Sequence, residues 1–211
     1  MIITIGSKKG GVGKSTLSTN IAAWLAVSGK SVVLVDADRQ STSANWAADR
    51  SETDRAYVVC VQKYDNIKNT LRDLAIHYEY VIVDCQGRDS IELRTALLAC
   101  DICVVPCCPS QADLDTIDSV ASVIEDVMPL NEALRAFYVL TKASTNPAVT
   151  EIVEAQKYLS KYSQFIPINT IISERKIYRD ALAEGAGVVE MDNDKAAQEI
   201  NNFMKEILSW A

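Results

Sequence analysis

Residues 1–16 read MIITIGSKKGGVGKST, and this stretch decides the fold. Four strand-like residues, 2–5, run into a glycine loop, and a helical pattern over 16–27 then stops at Gly29. Glycines let backbone N–H groups turn inward and approach a polyphosphate closely. The helix start adds the positive end of its dipole and its unpaired N–H groups. Lys14 then suits the β- and γ-phosphates, and the Ser15 hydroxyl suits Mg²⁺. A glycine-rich turn holding a chance Gly-Lys-Ser is the competing reading, and the flanking strand and helix speak against it.

Outward from the loop, β-branched runs recur at 31–35, 57–61, 80–83, 102–105, 137–140 and 170–172. They are almost wholly apolar, the pattern of strands buried on both faces. Between them lie helical patterns such as Ile67, Leu71, Leu74 and Ile117, Val120, Ile124, Val127. This alternation predicts an α/β fold: a mostly parallel, twisted sheet with helices on both faces, joined by right-handed crossovers. With 211 residues and no internal repeat or linker, residues 1–211 are expected to form one domain. A hydrophobic content of 48% excludes wholesale disorder. No run of 18 apolar residues is present, and the N-terminus lacks the order of a signal peptide, so a cytoplasmic location is expected. A net charge of −7 excludes a protein wrapped in nucleic acid through its overall charge, but not a local basic patch assembled by two subunits.

In such sheets ligands sit outside the carboxyl ends of the strands. Residues 6–16, 36–40, 84–88 and 106–113 are therefore the ones to inspect. Val33-Leu34-Val35-Asp36-Ala37-Asp38-Arg39-Gln40 puts two carboxylates just past a buried strand, which is costly unless a cation or hydrogen bonds satisfy them. Capping of a helix at 41–48 by the same acids is the alternative.

Lys9-Gly10-Gly11-x-Gly13-Lys14-Ser15, with Lys8 where an ordinary P-loop has glycine, resembles the deviant Walker A motif of the ParA/MinD family of ATPases. The resemblance implies that Lys9 reaches across a dimer into the partner's nucleotide. A second cation there would stabilise the charge of phosphoryl transfer, as an arginine finger does. Residues 33–40 are similar to the family's Walker A′ motif, usually Asp-x-Asp-Pro-Gln, with Arg39 in place of proline. By that match Asp38 orients the attacking water and Asp36 supports the metal's water shell. Tyr80-Val81-Ile82-Val83-Asp84 resembles Walker B, implying that Asp84 holds Mg²⁺ through water or accepts from Ser15. Cys85-Gln86-Gly87 keeps the family's glycine but carries Gln86 where proline or alanine is usual.

The rest of the resemblance is looser and covers nearly the whole chain. Val105-Pro106, Pro109-Ser110 and Asp113-Leu114 look like the family's "VP…PS…DL" segment, and residues 171–175 with Ala181 and Gly185 look like its tail block. Thr141-Lys142 sits where the family meets the base, and the loop at Pro167, Ile168 and Asn169 flanks adenine there. The resemblance thus implies ATP binding by Lys9, Gly10, Gly11, Val12, Gly13, Lys14, Ser15, Thr16, Thr141, Pro167, Ile168 and Asn169. Catalysis falls to Lys9, Lys14 and Asp38, and the metal to Ser15, Asp36 and Asp84. No Asn-Lys-x-Asp guanine reader is present, which favours ATP/ADP over guanine nucleotides.

The function implied is that of a short, ParF-like ParA ATPase for plasmid or chromosome partition. It would be nucleoid-associated and form an ATP-bound sandwich homodimer on nonspecific DNA, stimulated by a small centromere-binding protein of ParB or ParG type. Arg175, Lys176 and Arg179 are the candidate DNA patch. The alternatives are a related ATPase that positions a carboxysome, chemoreceptor array, division or secretion machinery, and a P-loop metabolic enzyme. Cys100, Cys103, Cys107 and Cys108 read as buried thiols rather than a metal site, and His77 as a helix-end residue. Residues 196–208 show an apolar helical face, and 195–211 carry two lysines against two glutamates. That balance predicts docking onto the sheet, with no membrane partner.

Overall fold

Alternation along each strand divides the apolar residues between two cores. Strands β1 (Ile2–Ile5), β2 (Val32–Ala37), β3 (Val59–Gln62), β4 (Tyr80–Cys85), β5 (Ile102–Cys107), β6 (Arg135–Leu140) and β7 (Phe165–Pro167) form one parallel sheet in the order β3-β2-β4-β1-β5-β6-β7. The computed structural model describes residues 1–87, 89–146 and 150–210. Arg88, part of the inspected stretch 84–88, lies outside them.

The helices are α1 (Lys14–Val27), α2 (Thr42–Ser51), α3 (Lys68–His77), α4 (Ile91–Leu97), α5 (Gln111–Leu114), α6 (Ile117–Val127), α7 (Glu151–Leu159), α8 (Lys176–Ala183) and α9 (Asp194–Leu208). Val33, Val35, Val81, Val83, Cys103 and Val105 face a core closed by α3, α4, α6 and α7. Ile3, Ile5, Leu34, Ile82, Val104, Phe137 and Val139 face the opposite core, closed by α1, α2, α8 and α9. The sheet is therefore buried on both faces, as its nearly unbroken apolar strands require. Its parallel sense brings all strand carboxyl ends to one rim.

The C-terminal helix α9 docks as its periodicity predicts, burying Ala196, Ile200, Phe203, Met204 and Ile207. Trp24 Nε1 on α1 donates to Asn201 Oδ1 at 2.8 Å and fixes the two helices against each other. His77 is exposed at the end of α3. Cys103 and Cys107, four residues apart on β5, face the same core as Cys85 and Cys100. Among the described residues no group of three or more His, Cys, Asp or Glu is placed to hold a metal ion, and burial pushes the Cys100 and Cys107 thiols up to about 12.

One strand is misplaced by the sequence reading. Residues 170–172 are not a strand; the seventh strand is Phe165–Pro167, and only Ser173 bridges to Ala143. The 170–173 segment keeps the bond from the Ile172 N–H to the Leu140 carbonyl, but side chains of α9 take the N–H groups of Thr170 and Ser173 and interrupt the ladder.

The guanidinium of Arg50 is 1% exposed and meets Glu190 in a paired contact, with both N···O distances at 2.8 Å. It also donates to the carbonyls of Ala56 and Gly185. Removing one partner of a buried ion pair strands the other charge, at a cost of about 3–5 kcal/mol. Glu190→Ala is expected to lose that much in urea unfolding at neutral pH, and a loss under about 1 kcal/mol would mean that water reaches Arg50.

Candidate functional site

At the end of β1 the chain turns through Gly13, whose φ of 92° places it in the left-handed region as the residue before α1. That conformation admits glycine with little strain and leaves the first N–H groups of α1 facing the rim. The loop is pinned from behind: Thr141 Oγ1, at the end of β6, donates to the Val12 carbonyl at 2.8 Å. Lys14 is buried and folds back over the loop, its Nζ donating to the Lys9 carbonyl at 2.9 Å. Burial lowers its pKa, while the charges of Asp84 and Asp38 raise it. The ammonium thus lies between the glycine loop and two carboxylates.

Asp36 and Asp84 are register partners on adjacent strands, both fully buried. They are not equivalent. Asp36 has both oxygens engaged, Oδ1 by the Asp38 N–H at 3.0 Å and Oδ2 by the Ala44 N–H at 2.8 Å. It therefore fixes the turn into α2, so the capping alternative describes its contacts. Asp84 Oδ2 accepts from Ser43 Oγ at 2.7 Å, whereas Oδ1 is buried with no hydrogen-bond partner. A buried carboxylate oxygen left unpaired is costly, and it is the kind of atom a cation or its water would satisfy. Burial pushes the Asp84 carboxyl up to about 6, against the lowering effect of the Ser43 and Ser15 hydroxyls. Asp38 is half-buried, and its Oδ1 accepts from the Gln40 N–H at 3.0 Å.

The two departures noted in the sequence point to one neighbourhood. Arg39 lies over the Tyr64 ring at 4.8 Å and 3.9 Å from Asp65. Gln86 Nε2 donates to Glu92 Oε2 at 2.9 Å, and Glu92 Oε1 accepts from the Asp65 N–H at 3.0 Å. Gly87, next in the chain, lies against the phosphate loop. A Cβ there would sit 2.8 Å from Lys14 Nζ and 2.9 Å from the Lys9 carbonyl, so the space over the loop depends on that glycine.

Residues 3–189 match the CobQ/CobB/MinD/ParA nucleotide binding domain. The chain belongs to this family. Over 211 residues it is 30% identical to "Maintenance of carboxysome distribution protein A" of Halothiobacillus neapolitanus, across 98% of this chain and 95% of that protein. Its fold is that of apo McdA from Cyanothece, with a TM-score of 0.82, 15% identity and 98% of each chain covered. It is also that of a putative plasmid partition protein from Borrelia burgdorferi bound to AMPPNP, with a TM-score of 0.76, 21% identity, and 100% and 99% covered. As a ParA/MinD-type family member the chain has the fold of nucleotide-binding P-loop ATPases.

Not all of the remaining candidate residues line the space beside the loop. Beside Gly13 and Thr16 is a cavity of about 120 Å³, walled in part by Thr141, Lys142, Ile172, Ser173, Arg175 and Tyr178. Pro167, Ile168 and Asn169 do not line it: Ile168 is buried in the core, and Asn169 is held by Glu206. The residues after the misplaced strand, not those before it, stand next to the loop. Arg175, a candidate for the DNA patch, is tied to Glu199 and lines the cavity. Lys176 and Arg179 are 78% and 72% exposed. Ser43, Tyr178 and Glu199 were not singled out by sequence, since no motif or charge pattern marks them.

Gly87→Ala is expected to lower ATP affinity by about tenfold or more while leaving thermal unfolding nearly unchanged; unaltered affinity would show that the Lys9 carbonyl and Lys14 yield freely. The raised Asp84 pKa has a signed consequence. Folded protein holds this proton up to about pH 6, unfolded chain only to its ordinary 3.8, so stability is lost as pH rises between those values. In nucleotide-free protein, Asp84→Asn is expected to flatten that loss and to add up to about 3 kcal/mol at pH 7 in urea unfolding. A destabilised variant at pH 7 would contradict a penalised carboxylate.

Proposed function

We propose that this protein is a ParA-type ATPase that uses ATP·Mg²⁺ to switch between a monomer and a sandwich dimer, and so positions a cargo on nonspecific DNA. The observation that carries this reading is the pair of lysines on one loop. Lys14 is buried over the loop toward Asp84 and Asp38, while the Lys9 side chain is 42% exposed at the lip, 3.8 Å from Asp113. One cation serves its own subunit's phosphates, and the other is free to reach a second subunit's. In this reading Gly10–Thr16 cradle the phosphates, with Ser15 and Asp84 toward Mg²⁺ and Asp36 bracing the turn. Asp38 orients water, and Lys9 stabilises the transferring phosphoryl group in trans. ATP would supply the energy of the switch, and its γ-phosphate the contact that holds the dimer.

The full-length likeness to a carboxysome distribution protein favours a protein body as the cargo. Plasmid or chromosome partition with a centromere-binding partner, the leading expectation from the motifs, uses the same switch and is the second reading. Lys176 and Arg179 on α8 are the proposed DNA contacts, doubled by the dimer and weakened steeply by salt.

The test separates the lysines. Lys14→Gln is expected to lose ATP and ADP alike. Lys9→Ala should keep ADP affinity but lose the ATP-dependent dimer on a sizing column, and Asp38→Ala should keep the dimer while turning over about 10²–10⁴-fold more slowly. Mixed Lys9→Ala and Asp38→Ala subunits should regain turnover in one of their two sites. A Lys9→Ala protein that dimerises and hydrolyses normally would overturn the trans role. Addition of the neighbouring gene's product, with DNA present or absent, distinguishes a centromere binder from a protein-body adaptor.

A further inference from the structure

Residues 168–175 form an irregular strip between β7 and α8 that keeps a short backbone pairing, the Ile172 N–H donating to the Leu140 carbonyl at 2.9 Å and the Glu174 N–H to the Ala143 carbonyl at 2.8 Å. Several of its other polar groups turn to α9. Glu206 Oε1 accepts from the Asn169 N–H and side-chain amide, and Oε2 from the Thr170 N–H and hydroxyl, all at 2.6–3.0 Å. Two helical turns earlier, Glu199 is a second and denser hub. Its Oε1 accepts from Ser173 Oγ at 2.8 Å and from Arg175 Nε and Nη2 at 3.0 and 2.8 Å. Its Oε2 accepts from the Tyr178 hydroxyl at 2.8 Å and the Ser173 N–H at 3.3 Å.

This hub stands directly behind the cavity next to the phosphate loop. Ser173, Arg175 and Tyr178, the three residues Glu199 holds, all line that cavity, with Gly13 and Thr16 opposite. At about 120 Å³ it far exceeds the ~10–15 Å³ that one water needs. A planar guanidinium and an aromatic ring are side chains suited to packing on a flat heteroaromatic base. Both are long, and unheld they would have to be ordered by the ligand itself, at a cost to affinity. Held by one carboxylate, they are ordered beforehand.

We infer that Glu199 is a positioning residue for the nucleobase: from α9 it fixes Arg175 and Tyr178 as the wall of the base end of the nucleotide site. The inference rests on the nucleotide reading above and extends it to a residue that touches neither phosphate nor metal. Arg175 accordingly serves the base end and is withdrawn from the DNA patch.

The experiment compares ATP with inorganic tripolyphosphate, which has the phosphates but no base, by calorimetry on the full chain. Glu199→Gln keeps the shape and one acceptor but loses the charge that holds Arg175. It is expected to bind ATP about tenfold more weakly, about 1.4 kcal/mol, with tripolyphosphate within about twofold of the parent. Tyr178→Phe keeps the ring, removes one bond to Glu199, and should show a smaller loss confined to ATP; it carries the test if Glu199→Gln does not fold. Equal losses for both ligands would make Glu199 a general structural brace, and unchanged ATP affinity in both variants would make it dispensable; either overturns the inference. A parent protein that binds neither ligand would overturn the phosphate reading itself, and the inference with it.

Discussion

Two carboxylates side by side at the buried ends of adjacent strands, with one buried ammonium before them, are the constraint around which the rim of this sheet is organised. Neither Asp36 nor Asp84 can be left to the apolar interior. Asp36 is satisfied by backbone N–H groups, and in accepting them it shapes the turn that carries Asp38. Asp84 is satisfied on one oxygen by Ser43 and left open on the other. Lys14 feels the charges of Asp84 and Asp38 but is bonded to its own loop. The phosphate loop, the turn after β2 and the end of β4 are therefore one electrostatic unit, and a charge brought to any of them is felt by the others.

Arg39 and Gln86 have a place in that unit. A proline at 39 would stiffen the turn through its fixed φ. Here a guanidinium over Tyr64 and an ion pair to Asp65 tether it to the loop after β3 instead. Gln86 reaches the same loop through Glu92. Flexibility gained in one turn is met by side-chain contacts drawn from two others.

The phosphate loop, the carboxylates and six of the seven strands were legible because each depends on local signals. Glycine spacing, a buried run ending in acid, and apolar periodicity all lie within a dozen residues of chain. The wall of the cavity beside the loop was not legible in this way. Residues 170–172 look like a strand by composition, yet the Thr170 N–H, like that of Ser173, is taken by α9, a contact across about thirty residues that no local pattern announces. The expected base contacts at Pro167, Ile168 and Asn169 come from the family resemblance, and Arg175 groups with Lys176 and Arg179 as a basic cluster after the expected strand. The ion pairs of Arg175 with Glu199, Lys176 with Asp180 and Arg179 with Glu174 were equally hidden, since a basic cluster in sequence says nothing about which acids meet it in space.

The bond between Trp24 and Asn201 joins residues 177 positions apart. The phosphate loop leaves the ribosome well before α9, which closes the core over α1 and braces the cavity wall. The central strand β1 likewise waits for β4 and β5 before it has neighbours. During synthesis the nascent chain thus carries a glycine loop without a sheet to hold it and a neighbouring cavity without its wall. Capture of nucleotide belongs to the finished molecule, and the many long-range closures imply slow, late consolidation rather than folding from the N-terminus forward.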